Sequence, residues 1–161
     1  MNSPFADRIS RRTLFARLAA VAPLVFASSR VFAQAKTPMM VIKDPSCGCC
    51  EKWIAHMTAN GFTATVTNTP DMKPVKLRYK VPSALESCHT ALIAGYVIEG
   101  HVPGADVKTF LARKPAGMLG LTIPGMPASA PGMDLAPFQP YTVLAFDAKG
   151  ATTPFSTHNK A

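Results

Sequence analysis

Three cysteines fall within four positions at Cys47-Gly48-Cys49-Cys50, and a fourth, Cys88, stands far along the chain beside His89. The thiolate form of cysteine attacks disulfides and binds soft metals, so this cluster offers thiol–disulfide exchange or metal chelation. A purely structural use fits poorly. Neighbours Cys49 and Cys50 rarely bridge each other, and Cys47-Gly48-Cys49 would close a very tight ring. A plain framework would have to pair Cys47 or Cys50 with Cys88 and strand the rest.

The surrounding pattern says what must hold these thiols. Met39 to Ile42 is a short apolar run that reads as a buried strand, stopped by the turn signal Asp44-Pro45. Cys50, Trp53, Ile54 and Met57 then recur at helical spacing. The thiols therefore sit at a strand-to-helix junction, where open backbone N–H groups and the helix dipole stabilise a thiolate. At least one of Cys47, Cys49 and Cys50 is expected to titrate below the free-cysteine value of about 8.5.

Asn60-Gly61 ends that helix, and Phe62 to Thr67 alternates as a second strand, parallel to the first. A short helix is expected over Met72 to Tyr79, with Pro74 in its first turn. Cys88–Ile93 and Tyr96–His101 read as a hairpin about Ala94-Gly95, and a helix follows from Pro103 through Arg113. With a two-residue turn, Cys88 faces His101 with Cβ atoms roughly 4.5–5.5 Å apart. His89 would then point to the other face. His56 lies about 10 Å along the helix from Cys49 and reads as a surface histidine.

Six prolines and four glycines fall between Pro115 and Pro140, with Met118, Met126 and Met133 among them, and no regular element is expected there. Gly125-Met126-Pro127 and Gly132-Met133-Asp134 look like two copies of one turn. Tyr141 to Phe146 is a last strand, followed by a polar tail. The order β-α-β-α-β-β-α, with thiols after the first strand, is the thioredoxin arrangement. The expected fold is thus α/β: a thioredoxin-like mixed sheet flanked by helices, with a long Pro/Gly/Met-rich loop before a last strand. In that arrangement Val81-Pro82 stands where the fold carries its cis-proline segment, beside the cysteine loop.

The start of the chain reads separately. Ser10-Arg11-Arg12-Thr13-Leu14-Phe15 carries twin arginines, Leu18 to Ala27 is apolar, and small-residue cleavage sites follow at Val31-Phe32-Ala33 and Ala33-Gln34-Ala35. Residues 1–35 are an expected twin-arginine export signal and residues 36–161 a single metal-binding domain in the periplasm. Losing the signal removes five arginines and one aspartate, which lowers the net charge from +8 to about +4. That modest surplus, with no nucleic-acid-binding motif, argues against a nucleic-acid partner, and no membrane contact is expected after cleavage.

Cys47-Gly48-Cys49-Cys50 after a strand, Ser87-Cys88-His89-Thr90-Ala91, Gly95 to Pro103 and Pro124-Gly125-Met126-Pro127 together resemble the CopG-type periplasmic copper-resistance family, which has a thioredoxin-like fold. The resemblance runs from about Met39 to Phe155. It implies copper, more than one ion included, held by Cys47, Cys49, Cys50 and Cys88, with His101, His89, Met126 and Met133 nearby. It also implies a role in copper tolerance through redox chemistry of the metal, as a copper oxidoreductase, among other periplasmic copper-handling proteins. Thiolate, imidazole and thioether favour soft Cu(I), and nitrogen ligands help a site tolerate Cu(II). Two rivals stand beside this reading. One is a metal-free thiol–disulfide oxidoreductase using Cys47 and Cys50; the other is a copper chaperone that only transfers metal.

Overall fold

The computed structural model describes residues 35–160, so residues 1–34 of the expected export signal lie outside the described residues. Strand β1 (Thr37–Lys43) leads into helix α1 (Gly48–Ala59), and β2 (Phe62–Asn68) returns parallel to β1. Helix α2 (Lys73–Arg78) starts with Pro74 in its first turn, and a short 3-10 turn at Ser83–Leu85 follows. Next come β3 (His89–Ile93), β4 (Tyr96–Glu99) and α3 (Gly104–Arg113). β1 pairs antiparallel with β3, and β3 pairs antiparallel with β4. This is the expected thioredoxin-like α/β core.

The sheet is larger than expected. It has seven strands in the order β2-β1-β3-β4-β5-β6-β7. The fifth, β5 (Met118–Thr122), lies inside the stretch read as irregular and pairs parallel with β4. Gly120 disguised it, because glycine is a poor strand residue. A Cβ at Gly120 would stand 1.7 Å from the Val97 carbonyl oxygen, so the close approach of the two strands needs glycine. β6 (Tyr141–Asp147) is the expected last strand, but β7 (Thr152–His158) follows it antiparallel, in what read as a polar tail. Pro154 hid β7; it is tolerated because β7 is the sheet edge, where ladder donors are not all needed.

The main core is built on Val41 and Ala91 from the sheet, Trp53 and Met57 from α1, and Val107 and Phe110 from α3. A second cluster, Val81, Leu85, Val97 and Phe146, covers the other face. Alternation along β4 explains the split: Ile98 enters the first cluster and Val97 the second. Among the described residues the cis peptide bond is Ala136–Pro137, so Val81–Pro82 is trans. Among the described residues, no helix is long and apolar enough to cross a membrane.

His56 is not the surface histidine its spacing suggested. It is half-buried, and its Nε2 accepts the Gly104 backbone N–H at 3.0 Å, at the start of α3. Pro103 offers no side-chain cap there, so an imidazole from α1 supplies the acceptor that Ser or Asp gives most helices. Burial holds the His56 imidazole below its ordinary value, against an opposing pull from Asp134. The depressed value means the unfolded chain takes up the proton first as pH falls. The contribution of His56 is therefore complete above pH about 6.5 and declines below it. His56→Ala should cost about 1 kcal/mol at pH 8, the usual worth of a cap. The difference between parent and variant should shrink on acidification, as followed by denaturant unfolding at several pH values. An equal difference at pH 5 and pH 8 would rule out the cap.

Candidate metal centre

The loop that carries the cysteines is set by local hydrogen bonds. Asp44 Oδ1 accepts the Ser46 N–H at 2.7 Å and also takes the Ser46 hydroxyl, while the Cys47 N–H reaches the Asp44 carbonyl at 3.1 Å. This Asx-type turn converts the strand into the helix within four residues. Lys43, almost fully buried, ties the two elements together through the Asp44 carbonyl and the Glu51 carboxylate at 2.9 Å. Cys47 stands at the N-cap of α1 without a side-chain cap, and Gly48, Cys49 and Cys50 form the first turn.

The structure joins Cys47 to Cys50 by a disulfide and leaves Cys49 and Cys88 as free thiols. The pair used is the one the thiol–disulfide rival required. Cys49 remains close, its Sγ 3.5 Å from that of Cys47. All four sulfurs, Cys88 included, lie within 4.8 Å of one another.

The hairpin delivers the second half of the site in the expected register. Ala94 and Gly95 both have positive φ, as a two-residue I′ turn requires, and Thr90 pairs with Glu99. Two residues further along each arm of the hairpin, Cys88 Sγ lies 3.0 Å from His101 Nε2. His89 departs from the expectation that it would face away. Its Nδ1 is 3.4 Å from Cys88 Sγ, and its ring packs 4.3 Å from Trp53 and 5.1 Å from His101. β3 begins only at His89, so Cys88 lies outside the pleat and the alternation rule does not govern it. Cys88, His89 and His101 form a second group of donors, also within 4.8 Å of one another.

The protonation states suit metal ligands. His101 Nδ1 donates to the Pro131 carbonyl at 2.7 Å, which leaves the Nε2 lone pair aimed at Cys88. Burial holds the His101 and His89 imidazoles below their ordinary values, His89 well below. Both are neutral rings. His89 Nε2 is buried with no hydrogen-bond partner, the kind of orphan that a bound ion or a ring rotation would satisfy. Burial, then the neighbouring Cys49, pushes the Cys88 thiol up to about 12. Without metal, Cys88 therefore carries its proton and donates it to His101 Nε2.

The methionines divide. Met126 is exposed, Met133 is packed against the main core, and Met118 belongs to β5. The two methionine turns are not copies. Gly125 and Met126 both take positive φ in the first, whereas Gly132 and Asp134 do so in the second.

Sequence reasoning missed a buried ion pair behind the site. Lys76 and Glu99 are paired with side chains 3% and 0% exposed. Glu99 also accepts the Ser87 N–H at 2.6 Å and the Thr90 hydroxyl at 2.8 Å. Ser87 and Thr90 flank Cys88 and His89, so one carboxylate fixes both ends of that segment. Burial pushes the Glu99 carboxyl above its ordinary value, while Lys76 and the Ser87 and Thr90 donors pull it down. Lys76 is buried in a helix whose other residues are exposed or half-buried, apolar Val75 and Leu77 included, and nothing in its spacing marks it.

Comparison with known proteins follows this geometry. Residues 85–133 match the protein family described as "protein of unknown function, DUF411". No curated protein matches the chain. Two solved structures do, both titled copper resistance protein copG. Form 1 is 37% identical with a TM-score of 0.72, the match covering 78% of this chain and 99% of that one. Form 2 is 39% identical with a TM-score of 0.71, covering 76% and 98%. The chain belongs to the CopG copper-resistance family.

The residues that support the candidate site can be tested by substitution. Lys76→Met should destabilise the protein by about 3–5 kcal/mol, because it leaves a buried carboxylate uncompensated. Combining it with Glu99→Leu should recover part of that loss. A double-mutant cycle by denaturant unfolding measures the coupling, and additive losses would mean the pair is not coupled. A Cβ at Gly132, where φ is +86°, would stand 2.7 Å from the Trp53 nitrogen and 2.9 Å from the Cys49 carbonyl. Gly132→Ala should therefore lift the loop off α1 and free the neighbouring Pro131 carbonyl from His101. A changed His101 tautomer signal in nitrogen NMR checks it.

Proposed function

We propose that the protein binds copper through Cys47, Cys49, Cys50 and Cys88, with His101 and His89 as nitrogen donors, and serves copper resistance in the periplasm. The observation that carries this reading is the convergence of four sulfurs and two neutral imidazoles through the shared residue Cys88. Sulfur-rich sites prefer Cu(I), and imidazole extends tolerance to Cu(II). Bound copper would supply one-electron chemistry between those states. The chain's own part is to hold the donors fixed: Pro131 orients His101, Trp53 packs on His89, and Glu99 anchors the Cys88 segment. Met133 and Met126 are further thioether donors in this reading, and residues 1–35 are the export signal. The titles of the two related structures support the copper assignment.

A second reading is favoured by one observation, the Cys47–Cys50 disulfide, which is what a metal-free thiol–disulfide oxidoreductase would use. Cys49, 3.5 Å from Cys47, weighs against it by offering a competing disulfide.

Competition titration of the reduced protein against a Cu(I) chelator and against Zn(II) separates the two. Copper should bind far more tightly than zinc, and comparable affinities would refute the copper reading. Cys88→Ser should lower the copper number or weaken binding at least tenfold. His101→Ala should affect Cu(I) mildly and Cu(II) more, since thiolates alone can hold Cu(I). His56→Ala should leave copper stoichiometry unchanged. Parent-like binding by Cys88→Ser would place the metal away from the hairpin.

A further inference from the structure

Cys47 and Cys50 occupy two incompatible roles. They are joined to each other, yet both belong to the four-sulfur group. A disulfide sulfur has no thiolate to offer a metal. In the joined form the remaining donors are Cys49 and Cys88, with His89 and His101 beside Cys88. Cys88 with its two imidazoles, and Cys49 within 4.8 Å of Cys88, suit one ion. Four free sulfurs within 4.8 Å of one another suit more than one, because each can bridge.

The two ends of the disulfide differ in access. Cys47 is half-buried beside exposed Ser46 and Gly48, while Cys50 is fully buried. An incoming thiolate can reach the Cys47 sulfur and not that of Cys50. Cys50 is the third residue of α1, where the open N–H groups and the helix dipole stabilise a departing thiolate. Access and leaving-group stability point the same way.

We propose that the Cys47–Cys50 disulfide is a redox gate on the metal site, opened by an external dithiol that enters at Cys47. This rests on the copper reading above. One thiolate of the dithiol bonds to Cys47 Sγ, the Cys47–Cys50 bond breaks, and Cys50 leaves as a thiolate. The second thiol of the dithiol then bonds to the first, releasing Cys47. The dithiol becomes a disulfide, and its two electrons and two protons pass to Cys47 and Cys50. The gate couples metal capacity to the supply of dithiol reductant: oxidised chain holds at most one ion, and reduced chain holds several.

The full chain, oxidised or reduced with dithiothreitol and then desalted without air, is titrated with Cu(I) presented by a chromogenic chelator. Iodoacetamide alkylation in denaturant, which exposes every thiol, counts the thiols in each sample. The oxidised form should show two alkylatable cysteines and bind at most one Cu(I). The reduced form should show four and bind more, with affinity at least tenfold higher. Equal stoichiometry and affinity in the two forms overturn the gate and leave the copper reading standing. Failure of both forms to take copper from the chelator overturns the copper reading and the gate with it. Entry is mapped by opening the oxidised form with glutathione in the presence of iodoacetamide. Glutathione should be found on Cys47 and the alkyl group on Cys50, and the reverse pattern overturns entry at Cys47.

Discussion

The hydrogen bond from His101 Nδ1 to the Pro131 carbonyl is the contact on which the site's chemistry turns. An imidazole buried this deeply must place its one N–H somewhere, and an unpaired donor would cost on the order of 1–3 kcal/mol. Spending that N–H on a backbone carbonyl leaves Nε2 with a free lone pair, and the hairpin aims it at Cys88. The same bond fixes the irregular stretch after β5, because the carbonyl belongs to the loop that Gly132 seats on α1. A Pro- and Gly-rich segment without strand or helix of its own is thereby held by the site it covers.

The reverse dependence holds behind the hairpin. A segment leading into a strand has no ladder partner for its N–H groups, and Ser87 lies in such a segment. Glu99 supplies the acceptor, and since a carboxylate cannot be buried alone, Lys76 comes with it from α2. The ion pair contributes little net stability once desolvation is counted. Its value is positional: it sets where Cys88 stands relative to the cysteine turn, which belongs to a different strand and helix. Lys43 performs the corresponding task on the other side, bridging the end of β1 to Glu51 on α1.

What could be read from the residues alone was what depends on short-range rules. The CxCC turn falls between an apolar run and a helical stripe, and a two-residue turn fixes the register that brings Cys88 to His101. The misreadings share a cause: tertiary context overrode local preference. Gly120 and Pro154 argue against strands, yet one lies where two backbones nearly touch and the other at an edge. His56 caps a helix 48 residues away, a contact that no spacing rule anticipates. His89 escaped because alternation applies within a strand and Cys88 stands just outside one. The Lys76–Glu99 pair was invisible for the same reason as the Pro131 carbonyl: each is defined by what faces it across the fold.

The two overlapping donor groups also explain why one histidine and one cysteine carry more weight than their neighbours. Cys88 is common to both groups, and it comes from the hairpin rather than the cysteine turn. Its thiol is held protonated by burial, so by itself it is neither a nucleophile nor a ligand. Only an ion, or the withdrawal of its proton towards His101, makes it a thiolate. The half-buried disulfide sulfur of Cys47 is open to exchange, while the half-buried thiol of Cys88 keeps its proton. A sheet that carries the disulfide on the strand-to-helix junction and the protonated thiol on the hairpin keeps two different sulfur chemistries apart within a few ångströms.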